Sequence, residues 1–229
     1  MTEFKGFPKG FFTFFEELKK NNNRDWFNTN KSRYQESVVN PMGEYITSIA
    51  PHLESVSPFY IADPRAHGGS MFRIYRDTRF SKDKTPYKTH AACHFRHQAG
   101  RDAHAPGFYM HIETDHVSIG GGIWRPPTKA LGLIREFIAD NPSAWGKLTR
   151  SAAIKDMGGV QGDSLVRPPR GFKPDSKHIE DLKRKSFYLM TGVDVKLALG
   201  PGLIDESVRV FKTAAQLNHF ICDALDLPF

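Results

Sequence analysis

Residues 107–119 read GFYMHIETDHVSI and alternate between apolar and polar side chains. Such a period of two places successive side chains on opposite faces of an extended strand. One face collects Phe108, Met110 and Ile112, and the other collects Tyr109, His111 and Glu113. Asp115 and His116 then turn the chain into Val117–Ile119. The stretch therefore predicts two short strands that pair in antiparallel fashion.

The same alternation occurs on both sides of this hairpin. Within residues 91–97, one face collects Ala91, Cys93 and Phe95, and the other collects Ala92, His94 and Arg96. Residues 71–76 place Phe72 and Ile74 opposite Arg73 and Tyr75. We predict a central, mostly antiparallel sheet over residues 70–125, with a return strand near 186–190.

Helical spacing of apolar residues dominates the N-terminal part of the chain. Residues 9–55 predict three helices, the first of which carries a run of phenylalanines. Asn22 or Asn23 can cap the second helix. Asn40 followed by Pro41 predicts the start of the third, with the asparagine as its N-cap.

Helices also follow the predicted sheet, over residues 128–225. Thr128 is a candidate cap, Asn141-Pro142 a candidate start, and Asp175 a cap for a helix that ends near Leu182. A last long helix covers residues 203–225 and has apolar residues on several sides, which predicts deep packing. Because the helices flank the strands and do not alternate with them, we predict an α+β fold.

The length of 229 residues suits one large domain, and we predict a single domain over residues 1–229. The two cysteines, Cys93 and Cys222, are too few to staple a fold of this size and favour a reducing compartment. The first residues lack the pattern of a signal peptide, and no apolar run is long enough to span a membrane. We therefore expect a cytoplasmic protein.

Positive charge is concentrated in one region. Residues 71–101 contain eight Lys or Arg and two Asp, and thus carry +6 of the chain's net charge of +7. Its densest part is Arg73–Lys88, which we call the basic segment. Arginine forks and lysine ammonium groups bind phosphate or carboxylate. The segment is therefore a candidate anion site, and an Arg–Asp–Tyr network that fixes a loop is the structural alternative.

The candidate ligand-binding residues come from the basic segment and from one predicted strand. The cations would hold the anion, and Asp77 or Asp83 would orient them or act as a base. The full set is Arg73, Tyr75, Arg76, Asp77, Arg79, Asp83, Lys84, Tyr87, Lys88 and His111.

One face of the predicted sheet would be polar and rich in titratable groups. If the strands pair as neighbours, this face collects Arg73, Tyr75, His94, Arg96, Tyr109, His111 and Glu113. Tyrosine and histidine are common in ligand sites and costly on a plain solvent face. We therefore hypothesise that this face forms the floor of a pocket.

The string RIYRDTRFSKDKTPYKTH, at residues 73–90, resembles the signature of the domain-of-unknown-function family 2461. Five further stretches of the chain resemble the same family, in order: FFTFFEELKKNNNRDWFNTNKSRY, PGFYMHI, GGGIWRPP, RPPRGFKPD and LKRKSF. The resemblance covers essentially the whole chain and implies one domain with a shared fold. It implies no activity, because the family is uncharacterised.

Three other features of the sequence are candidate sites. His90, Cys93, His94 and His97 form a sequence cluster. On a helix His90, His94 and His97 would share a face and could bind zinc, but on a strand only His90 and His94 share a face, so no metal is assigned. Gly120-Gly121-Gly122 fails the phosphate-loop patterns and predicts a bulge or a close backbone approach; a ligand packed against these glycines is the alternative. Residues 167–173, RPPRGFK, could cover the basic segment or form an exposed loop.

Three functions remain open from the sequence. The first, and favoured, is a ligand site for a phosphate- or carboxylate-bearing molecule, with or without catalysis. The second is a nucleic-acid-binding module, for which no motif is present. The third is a structural or protein-interaction domain without a ligand. We assign no cofactor, and neither the reaction nor the oligomeric state follows from the sequence.

Overall fold

The computed structural model describes residues 4–100 and 104–229. In its N-terminal part, α1 buries a stripe of phenylalanine and leucine side chains against the rest of the core. Asn23 caps α2 as predicted, because its side chain accepts the N–H of Trp26 at 2.9 Å. The elements are α1 Lys9–Lys20, α2 Arg24–Thr29, α3 Lys31–Tyr34, a π-helical stretch Gln35–Val39, and α4 Asn40–Val56.

One antiparallel sheet of four strands forms the centre of the described residues, in the order β1-β2-β3-β4. The predicted hairpin and the return strand are both confirmed, and the return strand β4 pairs with β3. The strands are β1 Ala91–Arg96, β2 Gly107–Ile112, β3 Val117–Ile123 and β4 Phe187–Val193.

Between β3 and β4 the chain forms a group of shorter helices, and a long helix follows β4. These elements are α5 Thr128–Asp140, α6 Pro142–Thr149, α7 Ala152–Asp156, α8 Ile179–Leu182, a 3-10 helix Val195–Leu199, and α9 Gly202–Ala224. The helix-and-sheet mixture confirms the predicted α+β class.

The inner face of the sheet packs against α9. Val210, Phe211, Ala214 and Leu217 of this helix are fully or almost fully buried. Gly121 of β3 permits close contact, since a Cβ atom built there would lie 3.0 Å from the Cβ of Ala214. The glycine run therefore serves the close backbone approach expected of it.

Residues 71–76 do not form the regular strand that their alternation predicts. The segment makes only isolated bridges, from Met71 to Cys93 and from Tyr75 to Tyr87. Its first residues hydrogen bond along β1, and its later ones turn away to pair with residues 86–88. No continuous ladder forms because the segment changes partner within a few residues.

Three predicted helix starts also differ. The chain is already helical at Val39, so Asn40 continues a helix and does not cap one. Thr128 is the first residue of α5 and makes no capping hydrogen bond, because Pro127 occupies the cap position. Asp175 starts no helix, since His178 adopts a left-handed conformation (φ 60°) and α8 begins only after it.

Candidate functional site

The outer face of the sheet, opposite α9, carries two rows of residues fixed by the strand register. Each row crosses all four strands. The first row runs His94, Tyr109, Gly120 and Met190, and the second runs Arg96, Gly107, Gly122 and Tyr188. Gly120 therefore separates Tyr109 from Met190 in the first row, and Gly107 and Gly122 separate Arg96 from Tyr188 in the second.

The glycines of these rows cannot be exchanged for larger residues without displacing their surroundings. A Cβ atom on Gly107 would collide with the imidazole of His94, and one on Gly120 would collide with the carbonyl oxygen of Leu189. Gly122 has φ 143°, a backbone conformation that favours glycine. The sheet thus presents a low floor between raised walls.

A concave cavity of about 490 Å³ lies over this floor, and we call it the sheet pocket. Trp124 and Tyr188 form one wall, with ring centroids 5.4 Å apart. Phe72 forms the other with Tyr109, at 6.2 Å. The lining residues are Phe72, Lys88, His90, Ala92, His94, Gly107, Tyr109, Gly121, Gly122, Trp124, Gln161, Tyr188 and Met190. Its size falls within the ordinary range for small-molecule sites.

Lys88 provides the positive charge of the sheet pocket. Its ammonium lies 5.3 Å from the ring centroid of Phe72, in a cation–π contact. Burial, and then the charge of Arg73, lower the pKa of this half-buried lysine. No carboxylate within the described ranges forms an ion pair with it. The lysine is therefore available to an acidic ligand.

Two histidines and a glutamate meet at the same end of the pocket, and we call His90, His111 and Glu113 the histidine cluster. His111 Nε2 lies 2.9 Å from Glu113 Oε1, and the rings of His90 and His111 are 4.3 Å apart. One ligand-type atom from each residue lies within 4.8 Å of the others. The cluster has the residue types and the spacing to hold a metal ion.

The protonation of the histidine cluster is set by its surroundings. Burial, followed by the charges of His111 and Lys88, lowers the pKa of His90 to about 4. The hydrogen bond from His111 is the main reason that the pKa of Glu113 is lowered. At neutral pH the cluster therefore combines an uncharged His90 with a carboxylate.

The central part of the basic segment is held by its own carboxylates. Arg76 pairs with Asp83 at 2.5 Å and also contacts the hydroxyl of Thr85. Arg79 pairs with Asp77 at 2.7 Å, and both of these side chains are exposed. These contacts agree with the structural alternative for this part of the segment.

The remaining residues of the basic segment anchor the loop or point elsewhere. Lys84 donates to the carbonyl oxygen of Thr78 at 2.9 Å. Tyr87 is buried and stacks on Phe27 with centroids 4.1 Å apart, and Tyr75 packs beside both rings. Arg73 is exposed and lines a second cavity, near α3.

The ten candidate residues therefore do not converge on one cavity. Lys88 alone of them lines the sheet pocket, while His111 belongs to the adjoining histidine cluster. Arg73 and Tyr75 share the second cavity, of about 470 Å³. Whether the basic segment binds an anion stays a prediction.

The expected polar face is present in part. His94, Arg96, Tyr109 and His111 share the outer face through the strand register. The earlier pair Arg73 and Tyr75 is absent from it, because residues 71–76 do not join the sheet as a strand. His94 and Tyr109 line a pocket, as the hypothesis required.

The four residues considered for zinc, His90, Cys93, His94 and His97, do not lie together in the structure. Cys93 is buried on the inner face of the sheet. His97 is also buried, and its Nε2 lies 2.8 Å from the carbonyl oxygen of Pro228. His90 and His94 remain on the outer face, as the strand interpretation predicted.

The second basic stretch is an exposed loop. Arg167, Arg170 and Lys173 are all exposed, and no residue of 167–173 lines the sheet pocket. This placement agrees with the exposed-loop alternative.

The far wall of the sheet pocket was not predicted from the sequence. Trp124, Gln161, Tyr188 and Met190 lie outside the candidate set. Gln161 is fixed there because its side chain donates to the carbonyl oxygen of Met190 at 2.8 Å. The only signal in the sequence was the aromatic residue that follows the glycine run, since the pairing of β3 with β4 joins distant parts of the chain.

The comparison with protein families agrees with this whole-chain architecture. The family described as "Conserved hypothetical protein (DUF2461)" matches residues 10–220. The chain belongs to this family of uncharacterised proteins. No curated protein matches it. Among the residues that the structure describes, none of the helices has the length and apolar character to cross a membrane.

Proposed function

We propose that the protein binds a small, planar aromatic molecule that carries a carboxylate or a phosphate, and that the sheet pocket is its binding site. The aromatic part would lie over the glycine floor, between the wall of Trp124 and Tyr188 and the wall of Phe72 and Tyr109. The acidic group would face Lys88.

The observation that carries this proposal is a half-buried ammonium inside a pocket with aromatic walls, with no ion-pair partner among the described carboxylates. Aromatic contacts contribute about 0.5–1.5 kcal/mol each beyond the burial of their area. A hydrogen bond to a charged group contributes about 1.5–3 kcal/mol. A ligand with only one of the two parts would forgo one of these contributions.

The sequence predicts an anion site along the whole basic segment, whereas this proposal uses only one of its residues, Lys88. Arg76 and Arg79 already pair with Asp83 and Asp77. An incoming anion would have to displace these carboxylates, whereas at Lys88 it would displace none from the described part of the chain. The binding role is therefore assigned to Lys88, and the paired arginines stabilise the loop that leads to it.

A binding test with matched ligands can decide the proposal. Naphthoate and naphthyl phosphate provide the ring with an acidic group, and naphthamide provides the same ring without charge. We expect both acids to raise the melting temperature, since a ligand that binds only the native state stabilises it by RT ln(1 + [L]/Kd). Calorimetry should give weaker binding for naphthamide.

Variants test whether these ligands bind in the sheet pocket. Lys88→Met should weaken binding of the two acids by about ten- to hundredfold, because a hydrogen bond to a charged group is lost. The affinity for naphthamide should not change. Lys82→Met, on the exposed part of the basic segment, is the matched control and should bind normally. Ala92→Leu should reduce binding of all three ligands by filling the floor. Equal binding of acids by wild type and Lys88→Met would refute the assignment.

Nucleic-acid binding is a second candidate because of one exposed ring. Phe80 is 95% exposed, and the guanidinium of Arg79 lies 5.8 Å from its centroid. Exposed aromatic rings among cations can stack on single-stranded bases. This alternative expects salt-sensitive binding of a short oligonucleotide that Phe80→Ala abolishes and Lys88→Met preserves.

We also infer a reducing, cytoplasmic location. Cys93 and Cys222 are both free thiols, and both are buried. Such thiols need no oxidising environment to support the fold.

A further inference from the structure

The histidine cluster is a product of the sheet register. β1 and β2 pair Ala92 with His111. Continuing this register by one step on the same face places His90 opposite Glu113, because side chains of alternate residues share a face. Neighbouring pairs on one face have Cβ atoms about 4.5–5.5 Å apart. His111 lies in β2, His90 directly precedes β1 and Glu113 directly follows β2, so the paired ends of these two strands bring the three side chains together.

We propose that His90, His111 and Glu113 bind a divalent transition-metal ion at the end of the sheet pocket. Zinc lies about 2.0–2.2 Å from nitrogen and oxygen ligands, so two ligand atoms of one ion lie roughly 3 Å apart. His111 Nε2 and Glu113 Oε1 are already separated by 2.9 Å. All three ligand atoms lie within 4.8 Å of one another.

Groups behind the cluster hold its ligands in place. The hydroxyl of Tyr109 lies 3.2 Å from His111 Nδ1, the nitrogen that faces away from Glu113. Such a partner fixes the orientation of a metal-binding imidazole. Tyr109 is thus a positioning residue. On the other side of the cluster, Lys19 lies 3.8 Å from Glu113 Oε2 and donates to the hydroxyl of Thr114 at 2.9 Å.

The ligand set selects a class of metal. Two imidazoles and one carboxylate suit Zn²⁺, Fe²⁺ or Co²⁺, whereas Mg²⁺ and Ca²⁺ prefer oxygen ligands alone. The thiol of Cys93 cannot contribute, since it lies on the opposite face of the sheet. Three protein ligands leave coordination positions open.

His90 belongs to the histidine cluster and also lines the sheet pocket. We therefore expect the open coordination positions of the ion to face the pocket. An acidic group bound near Lys88 could therefore complete the coordination of the ion. This contact rests on the proposed function and specifies it further, whereas binding of the metal itself does not depend on a ligand.

Titration of the metal-free full-length protein with Zn²⁺ or Co²⁺ tests the site. We expect one ion per chain with micromolar or tighter affinity. Tyr109→Phe should weaken binding about tenfold, the lower end of the loss typical for a partner of a metal-bound histidine. His90→Ala, His111→Ala and Glu113→Gln should each weaken it further. His116→Ala removes an exposed histidine at the same edge of the sheet and should bind the metal normally.

X-ray absorption of the zinc-loaded wild type avoids any dependence on the folding of the variants. Two imidazoles and an oxygen ligand in its spectrum support the proposal. Wild-type protein that binds neither Zn²⁺ nor Co²⁺ in stoichiometric amount overturns it. So does a His116→Ala variant that loses as much affinity as His111→Ala.

The visible spectrum of the Co²⁺-loaded protein separates this inference from the proposed function. A change on adding naphthyl phosphate supports contact between the acidic group and the ion. An unchanged spectrum while calorimetry detects binding overturns that contact and leaves the ligand site. Metal binding without any binding of naphthoate or naphthyl phosphate overturns the proposed ligand and leaves the metal site.

Discussion

Replacing Gly121 by alanine should destabilise the protein because this glycine allows the sheet and α9 to pack closely together. A Cβ atom at this position would lie 3.0 Å from the Cβ of Ala214, from the carbonyl oxygen of Gly107 and from a ring carbon of Phe108. Favourable contacts between carbon atoms are about 3.5–4.0 Å. The neighbours would have to retreat by roughly half an ångström, and one of them is backbone.

Two opposing effects set the magnitude. Overpacking of a core costs about 1–3 kcal/mol. Loss of glycine's freedom in the unfolded chain returns about 0.4–1 kcal/mol. We therefore expect the free energy of unfolding to fall by about 1–2 kcal/mol, which lowers the melting temperature by about 2–4 °C per kcal/mol for a chain of this size.

Urea unfolding followed by circular dichroism measures this change, and Gly132→Ala is its matched control. Gly132 lies in α5, and a Cβ atom there would meet no atom within 4 Å. The control should stabilise the protein by about 0.5–1 kcal/mol, because alanine is the better helix former. A Gly121→Ala protein as stable as the wild type would refute the packing argument, since overpacking would then cost no more than the reduced entropy of the unfolded chain returns.

Two further predictions concern groups away from the sheet pocket. We expect the pKa of Asp83 to be about 2, because the N–H of Thr85 and then the guanidinium of Arg76 stabilise its charged form. The stability from this carboxylate is complete above its usual pKa of 3.8 and is lost as the pH falls through about 2. Carbon NMR should give this midpoint, and Arg76→Ala should raise it; a midpoint near 3.8 in the wild type contradicts the contact. Burial raises the pKa of the thiols of Cys93 and Cys222, so a thiol reagent should react only through unfolding, at a rate that rises with urea. Rapid labelling of the native protein would contradict their burial.

The sequence predicts those parts of the fold that depend on local pattern. The alternation in β1 and β2 gives the correct faces for Cys93 and Tyr109, because side-chain direction in a strand depends only on parity. The helical spacing of apolar residues likewise predicts α9 to within one residue at each end. Residues 71–76 have the same alternation but form no ladder, since strand pairing also requires a partner that continues alongside.

The candidate site could be predicted only in part, for two physical reasons. The far wall of the sheet pocket comes from Tyr188 and Met190, which reach Gly122 and Gly120 through a register between distant strands. Alternation within one strand contains no information about that register. The second reason is that arginine and aspartate are equally suited to bind a ligand and to pair with each other, so their sequence pattern does not distinguish the two outcomes.

The placement of charge explains why the proposed binding site does not lie where basic residues are most numerous. An arginine that contacts an aspartate forms a dipole, and its field falls off faster with distance than that of an isolated charge. Arg76 and Arg79 are both in such pairs, and both lie outside the sheet pocket. Lys88 contributes a single charge, but burial reduces its screening by water and salt. For this reason the proposed function places the acidic group of the ligand at one half-buried cation beside an aromatic ring, and not at the two paired arginines.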